Sequence, residues 1–122
     1  MANKNFSVKV PEAGETLRYA PGFSFVSSSL SGIYDPNAIV TTRTNIEIAV
    51  DYPLGRPAVF VVRTKSKKGF TRRAMVAAIR KLYLNIYKHD KYYQIWGHDI
   101  DDLCLAGFSI SSKNIVRLFV DS

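Results

Sequence analysis

The sequence is poor in cysteine, with Cys104 alone, and it has no long apolar run. A single cysteine excludes an internal disulfide, and it also excludes a zinc site built on paired thiolates. The longest apolar stretches fall far short of the roughly 20 residues that a membrane span requires, and the N-terminal segment lacks the apolar core of a secretory signal. We therefore expect a soluble intracellular protein.

Catalytic and cofactor signatures are missing as well. Ser27, Ser28 and Ser29 lack the flanking glycines of a nucleophile elbow. The sequence contains no glycine-rich phosphate loop, no HExxH helix and no calcium loop. Cys104 lies in the apolar pattern LCLAGF, which predicts a small buried side chain. We predict a protein that is not an enzyme and that has no cofactor.

Basic charge is the feature that the sequence does have. The chain carries 17 Lys and Arg against 10 Asp and Glu, which gives a net charge of +7. Eleven of these cations and one acid lie between Arg56 and Lys91, so that the rest of the chain is net acidic. The stretch RTKSKKGFTRRAMVAAIRK, from Arg63 to Lys81, contains eight cations and no acid. Such a charge imbalance indicates binding to anionic partners, and it carries no information about the fold.

The second half of the chain predicts an antiparallel sheet of two hairpins. The segment from Asn45 alternates apolar and polar residues, and after a loop from Pro53 to Pro57 comes the apolar stretch AVFVVRT. Two further apolar segments, LCLAGFSI and IVRLFVDS, flank a polar turn from Ser111 to Asn114. Each pair is typical of a β-hairpin.

A long amphipathic helix is predicted between the hairpins. Thr71 is a suitable N-cap, and helical periodicity continues to about Lys88. The apolar face contains Met75, Ile79, Leu82, Tyr83 and Ile86, and the opposite face carries Arg73, Arg80, Lys81 and Lys88. The order strand, strand, helix, strand, strand predicts a single α+β domain over residues 1–122.

The first 44 residues form an irregular arm in this prediction. Prolines interrupt the segment, and short alternating patterns predict strands or edge segments over residues 6–10 and 23–30. Residues 45–122 then supply the main sheet and helix.

The basic tract is the main candidate site. Its cations lie on a strand end, a loop and a helix start, where backbone N–H groups also favour an anion. Backbone-directed binding of nucleic acid with little sequence specificity is the first hypothesis, since the helix offers Asn85 as its one amide side chain. DNA is preferred to RNA, and a solvated surface, an acidic protein or a lipid surface is the alternative. The candidate residues are Arg63, Lys65, Lys67, Lys68, Arg72, Arg73, Arg80 and Lys81.

Two other clusters have competing interpretations. His98, Asp99, Asp101 and Asp102, with His89 and Asp90 nearby, could bind a metal or transfer protons, but the favoured interpretation is a turn cap with the histidine beside Trp96. The aromatic cluster of Tyr83, Tyr87, Tyr92, Tyr93 and Trp96 could stack on bases, although core packing with hydroxyls at the rim is favoured for the first two.

A resemblance to a viral family is carried by two stretches, FTRRAMVAAIRKLYLNIYKHDKYYQIWGHDIDDLCLAGF and IVRLFVDS. They resemble small proteins of unknown function from large double-stranded DNA viruses of amoebae, of the Marseillevirus kind. The resemblance implies a virus-encoded protein that acts in the host cell or is packed in the virion, where a basic domain would meet the genome.

A protein-interaction module is the rival class of function. In this hypothesis the protein is a homodimer in which the strand that ends the sequence pairs edge to edge, or the Tyr–Trp segment docks on a partner.

Overall fold

The structure is a computed structural model, and it describes residues 4–7 and 22–122. Two α-helices lie in the described residues, α1 (Arg72–Tyr87) and α2 (Asp90–Tyr93). Single 3-10 turns cover Leu30–Gly32 and Ile100–Asp102. The strands are β1 (Lys4–Ser7), β2 (Phe23–Ser24), β3 (Ile39–Thr41), β4 (Asn45–Val50), β5 (Ala58–Arg63), β6 (Phe70–Thr71), β7 (Cys104–Ile110) and β8 (Ile115–Asp121).

The predicted α+β class and both predicted hairpins are confirmed. Strands β4 and β5 pair antiparallel across the loop at residues 51–57, and β7 and β8 pair antiparallel across the turn at residues 111–114. The main sheet has the order β1-β7-β8-β4-β5, and β2 adds to the same edge of β7 as β1. Strands β3 and β6 form a separate two-stranded sheet.

The prediction of a wholly antiparallel sheet is wrong at the join between the hairpins. Strand β8 pairs parallel with β4, with Ile48 opposite Val116. The cause is helix α1, which follows β5 and carries the chain back along the sheet. Its 16 residues span about 24 Å, which is close to the length of a strand of six or seven residues. Strand β7 therefore starts where β5 started, and β8 runs with β4. Because β8 has a neighbour on each side, the strand that ends the sequence is not a free edge, and that prediction is wrong as well.

The apolar face of α1 packs on one face of the sheet, as the periodicity predicts. Met75, Ile79 and Ile86 are fully buried, and Leu82 is half-buried at the margin. Ile48 of β4 and Val116 of β8 face them from the two central strands of the join. One continuous core therefore holds both hairpins against the helix.

Residues 22–44 differ from the strand predicted over residues 23–30. Strand β2 ends at Ser24, because Ser24 Oγ accepts from the backbone N–H groups of Val26 and Ser27 and closes a turn. The predicted strand over residues 6–10 corresponds to β1, which ends at Ser7, and residues 8–10 lie outside the described part of the chain.

Cys104 is half-buried rather than fully buried. It lies at the first position of β7, at the end of the sheet, opposite Ser24 on one side and Asp121 on the other. A strand's first residue has fewer neighbours than its middle, so the apolar pattern overestimated burial there.

The loop between β5 and α1 is fixed at Gly69. This glycine has a φ of +97°, and a β-carbon there would lie 2.1 Å from the carbonyl oxygen of Thr41. Only glycine permits both the left-handed backbone and this close approach to the last residue of β3. The lysine-containing loop is thus held against the neighbouring strand.

Thr71 provides a test of how α1 begins. Its hydroxyl accepts from the N–H of Ala74 at 3.0 Å, as predicted for an N-cap. Replacing Thr71 by Ala should lower the free energy of unfolding by about 1 kcal/mol, measured by urea denaturation. The Thr71→Ser variant keeps the hydroxyl and should retain most of that stability; equal losses in both variants would contradict the capping role.

Candidate functional site

Six exposed cations meet at one end of the main sheet, which we call the basic end. Strand β4 begins at this end and β5 finishes there, because Asn45 pairs with Arg63. Strand β8 also begins there, because Ile115 pairs with Glu47. The cations come from the β3–β4 loop, the end of β5 and its following loop, and the β7–β8 turn: Arg43, Arg63, Lys65, Lys67, Lys68 and Lys113.

These cations are free to meet a ligand. Each of the six is exposed, and none forms an ion pair, side-chain hydrogen bond or ring contact with another described residue. A cleft of about 360 Å³ opens between Arg43 and Lys113, with Asn45 and Asn114 in its lining. The single carboxylate in that lining is Glu47. Neighbouring strands are about 4.8 Å apart, so the span from β5 to β8 is about 10 Å.

Two residues of the predicted basic site serve the fold instead. Arg72 is 8% exposed; its guanidinium donates to the carbonyl of Tyr34 at 2.8 Å and lies over that residue's ring. Arg80 is half-buried; it donates to the carbonyl of Ser28 at 3.1 Å and lies 5.4 Å from the centre of the Phe23 ring. Both arginines attach residues 22–34 to α1.

Arg73 and Lys81 are exposed on α1 and are not part of the strand ends, loops and turn that form the basic end. The guanidinium of Arg73 donates to the side-chain oxygen of Asn37 at 3.2 Å. The residues predicted for the site therefore have three different settings. Arg63, Lys65, Lys67 and Lys68 lie on the end of β5 and its following loop, Arg72 and Arg80 bond to backbone carbonyls, and Arg73 and Lys81 are exposed on the helix.

The first turn of α1 is not open to an anion, contrary to the expectation from the sequence. The N–H of Arg72 donates to Ala38 O, and the N–H of Arg73 donates to Pro36 O. The N–H of Ala74 donates to Thr71. The chain before β3 satisfies the first two of these groups and the N-cap Thr71 satisfies the third, so an anion would have to meet side chains rather than the helix start.

Arg43 and Lys113 are the members of the basic end that sequence reasoning missed. They are 70 positions apart, and neither lies in a basic run. The parallel pairing of β4 with β8 brings them to one cleft. The sequence does place Lys113 in a turn and Arg43 just before a strand, but it gives no signal that those two strands are neighbours.

The opposite end of the sheet is acidic, and we call it the acidic end. Strand β4 leaves the sheet there at Asp51, and β8 finishes at Asp121. The segment after α1 returns to the same place, since Leu54 bridges to Ile95. The charged residues at this end are six aspartates and three cations, so the end is net acidic. The aspartates are Asp51, Asp90, Asp99, Asp101, Asp102 and Asp121, and the cations are Arg56, Lys88 and Lys91.

The histidine and aspartate cluster at the acidic end has the structural role that was favoured. His98 Nε2 is 2.8 Å from the hydroxyl of Tyr52, and the His98 and Trp96 ring centres are 5.6 Å apart. The N–H of Asp99 donates to the carboxylate of Asp102 at 3.4 Å. Oxygens of Asp99, Asp101 and Asp102 lie within 4.8 Å of one another, but all three side chains are exposed on a single turn. Such a turn is common in proteins without a metal.

The aromatic cluster is divided between the core and the acidic end. Tyr83 is buried, stacks on Phe25 at 4.4 Å, and donates its hydroxyl to the carbonyl of Tyr52 at 2.6 Å. Tyr92 and Trp96 are exposed, but they belong to the segment at the acidic end. No exposed tyrosine or tryptophan of the described chain lies at the basic end.

Burial also raises the pKa values of the buried Tyr83 and the half-buried Tyr87. Desolvation raises the pKa of Tyr83 well above its usual range, with a smaller contribution from Asp51. Desolvation, followed by the charge of Asp99, raises the pKa of Tyr87 to about 12. Both hydroxyls donate to backbone carbonyls, Tyr87 to His98 O at 3.0 Å.

Comparisons with known proteins give no match: none is found among protein-family models, curated proteins or solved structures. The viral resemblance therefore stays a prediction. Within the described residues, no helix is long and apolar enough to cross a membrane.

The raised tyrosine pKa values predict alkaline sensitivity. Well below pH 10 both tyrosines are protonated in the folded and the unfolded chain. Above pH 10 the unfolded chain loses these protons first, so the free energy of unfolding falls, over a window that reaches about pH 12 for Tyr87 and extends higher for Tyr83. Tyr83 alone should contribute about 1.4 kcal/mol per pH unit.

Denaturation of wild type and Tyr83→Phe between neutral pH and pH 11 measures this effect. The variant should lose about 1 kcal/mol at neutral pH, because the carbonyl of Tyr52 loses its donor. Its stability should then fall less steeply than that of the wild type above pH 10. Equal slopes would show that Tyr83 does not titrate with unfolding.

Proposed function

We propose that this protein is a non-enzymatic domain that binds duplex nucleic acid, DNA in preference to RNA, through the phosphate backbone. The observation that supports this most directly is the convergence of six exposed and unpaired cations from three segments on the basic end. Solvated lysines usually lie scattered or paired with acids, whereas these six cations lie at one end of one sheet. Two of them, Arg43 and Lys113, line a cleft in which Glu47 is the single acidic residue.

The dimensions of the basic end suit a run of phosphates. Duplex DNA carries one negative charge per about 1.7 Å of axis, so a surface about 10 Å wide faces roughly six charges. Long lysine and arginine side chains on loops can neutralise several of them at once. Affinity would then come from counterion release and would depend steeply on salt.

Little sequence specificity is expected. Base reading requires a helix or a strand ribbon that enters the major groove with side chains for the base edges. The basic end is instead formed by loops and strand ends, and Asn45 and Asn114 are the amide side chains in its cleft. Phosphate contacts of this kind position a protein without identifying a sequence.

The double-stranded form is favoured over single strands. Proteins that hold single strands combine a basic groove with aromatic rings on which bases stack. Here the exposed rings of Tyr92 and Trp96 belong to the acidic end, where phosphates are repelled. If the resemblance to DNA viruses of amoebae holds, the genome in the host cell or virion is a natural ligand.

A pair of matched variants tests the site. Lys67→Ala with Lys68→Ala removes two charges from the basic end, and Lys88→Ala with Lys91→Ala removes two from the acidic end. On random-sequence duplex DNA, the first pair should reduce the slope of log affinity against log salt by about 1.8, since each phosphate contact contributes about 0.9. The second pair should leave the slope nearly unchanged.

Fluorescence anisotropy between roughly 50 and 200 mM salt provides the measurement. The net charge of both double variants is the same, so any difference reports position rather than overall charge. Equal slopes in the two variants, or no binding by wild type at the lowest salt, would overturn the proposal. Parallel titrations with single strands and duplex RNA test the preferred form.

A second pair of substitutions tests the convergence itself. If the basic tract from Arg63 to Lys81 acts alone, replacing Arg43 and Lys113 by Ala should have little effect. If the basic end is the site, this double variant should weaken binding on every sequence and lower the salt slope by about 1.8, as much as the Lys67 and Lys68 pair. The same anisotropy titration distinguishes the two outcomes.

A further inference from the structure

Strand β5 is an open edge of the main sheet. Within the described residues it pairs with β4 alone; on the other side of the sheet the outer strands are the short β1 and β2, both paired with β7. An open edge presents unpaired backbone groups to any strand that approaches.

The outward backbone groups of β5 can be assigned from its pairing. The N–H of Thr64 donates to the carbonyl of Thr44, so the even-numbered residues of this strand direct their N–H and carbonyl groups toward β4. Val59, Val61 and Arg63 therefore direct theirs away from the sheet. Three residues with free donors and acceptors are enough for a short antiparallel ladder.

The outward residues are also apolar to an unusual degree for an edge. Val59 and Val61 are 60% and 63% exposed. The core of the strand, Val59 to Val62, contains no lysine, proline or inward-pointing charge, which are the features by which edges are usually protected from pairing. The composition of β5 is therefore typical of a strand that pairs with another strand on its outer side.

Charge complementarity indicates what covers it. Strand β5 runs from the acidic end to the basic end, so a copy placed antiparallel to it sets the basic end of each molecule beside the acidic end of the other. A parallel copy would set the two basic ends together. The antiparallel arrangement is also the one that a two-fold axis generates, and two-fold symmetry is the commonest form of self-association.

We propose that β5 is a self-association edge, through which two copies of this chain pair antiparallel about a two-fold axis at Val61. In this register Val61 meets Val61 of the other copy, and Val59 meets Arg63. All three outward residues then exchange backbone hydrogen bonds, and the exposed valines become a cross-strand apolar pair. The two sheets join into one continuous sheet across the dimer.

Sedimentation or light scattering over a concentration series tests this interface. The wild type should approach twice the monomer mass as concentration rises, and Val61→Lys should weaken association at least tenfold, because two lysines would meet at the axis. The matched control is Val26→Lys. Val26 is also an exposed valine, with 49% of its surface accessible, but it lies in the turn after β2 rather than on β5. The control should associate as the wild type does.

Two further measurements keep the result decisive. Circular dichroism of Val61→Lys should match the wild type, because the side chain is exposed and its backbone groups do not bond to β4. Rising salt should weaken association, because screening removes the complementarity of the ends. A wild type that is monomeric throughout, or Val61→Lys and Val26→Lys associating equally, would overturn the proposal. If Val61→Lys is misfolded, Val61→Thr, which keeps the shape and lowers the apolar contact, should still associate more weakly than wild type.

Discussion

The parallel pairing of β8 with β4 is the contact on which the rest of the structure depends. Each hairpin alone exposes an apolar face and an unpaired edge, and two-stranded hairpins are marginally stable in water. The pairing of Ile48 with Val116 joins the hairpins into one sheet that is wide enough to receive the apolar face of α1. The core, the positions of both charged ends and the identity of the open edge all follow from it.

Charge polarity along the sheet is a product of this topology rather than of any one segment. Strands β4 and β8 begin at the same end, so the residues before them are brought together, and those after them are brought together at the far end. The first group is basic and the second is acidic. A net charge that looks diffuse in the sequence thus becomes a dipole-like distribution along the strand direction, which affects both anion binding and the orientation of any symmetric partner.

Basic residues that are near one another in this sequence have different roles: some bond to the backbone within the fold, and others are exposed to solvent. Arg72 and Arg80 bond to backbone carbonyls and lie against aromatic rings, so their charge is used to attach residues 22–34 to the helix. The side chains of Lys67 and Lys68, a few positions away, form no hydrogen bond, ion pair or ring contact within the described chain. Counting cations in a window therefore overestimates the surface available to a ligand.

The local elements were accessible from the sequence, and the long-range arrangement was not. Period-two and helical patterns placed β4, β5, α1 and β8, because those patterns reflect burial on a single face. Ser24 shortened a predicted strand because its hydroxyl bonds to the backbone, which an apolar count ignores. The place of Arg43 beside Lys113 depended on a strand pairing between residues far apart, and one sequence holds no direct record of such pairings.

The central position of β8 has a consequence for the order in which the chain is made. Of the described strands it is the last to be synthesised, yet its two neighbours, β4 and β7, need it for their hydrogen bonds. At typical rates of translation, roughly 4 to 15 s separate β4 from β8. During that time the β4–β5 hairpin and the apolar face of α1 have no completed sheet to pack on. The apolar faces of this hairpin and of α1 therefore reach their final packing only after Ile115–Asp121 has been made, because Val116 of β8 belongs to the same core.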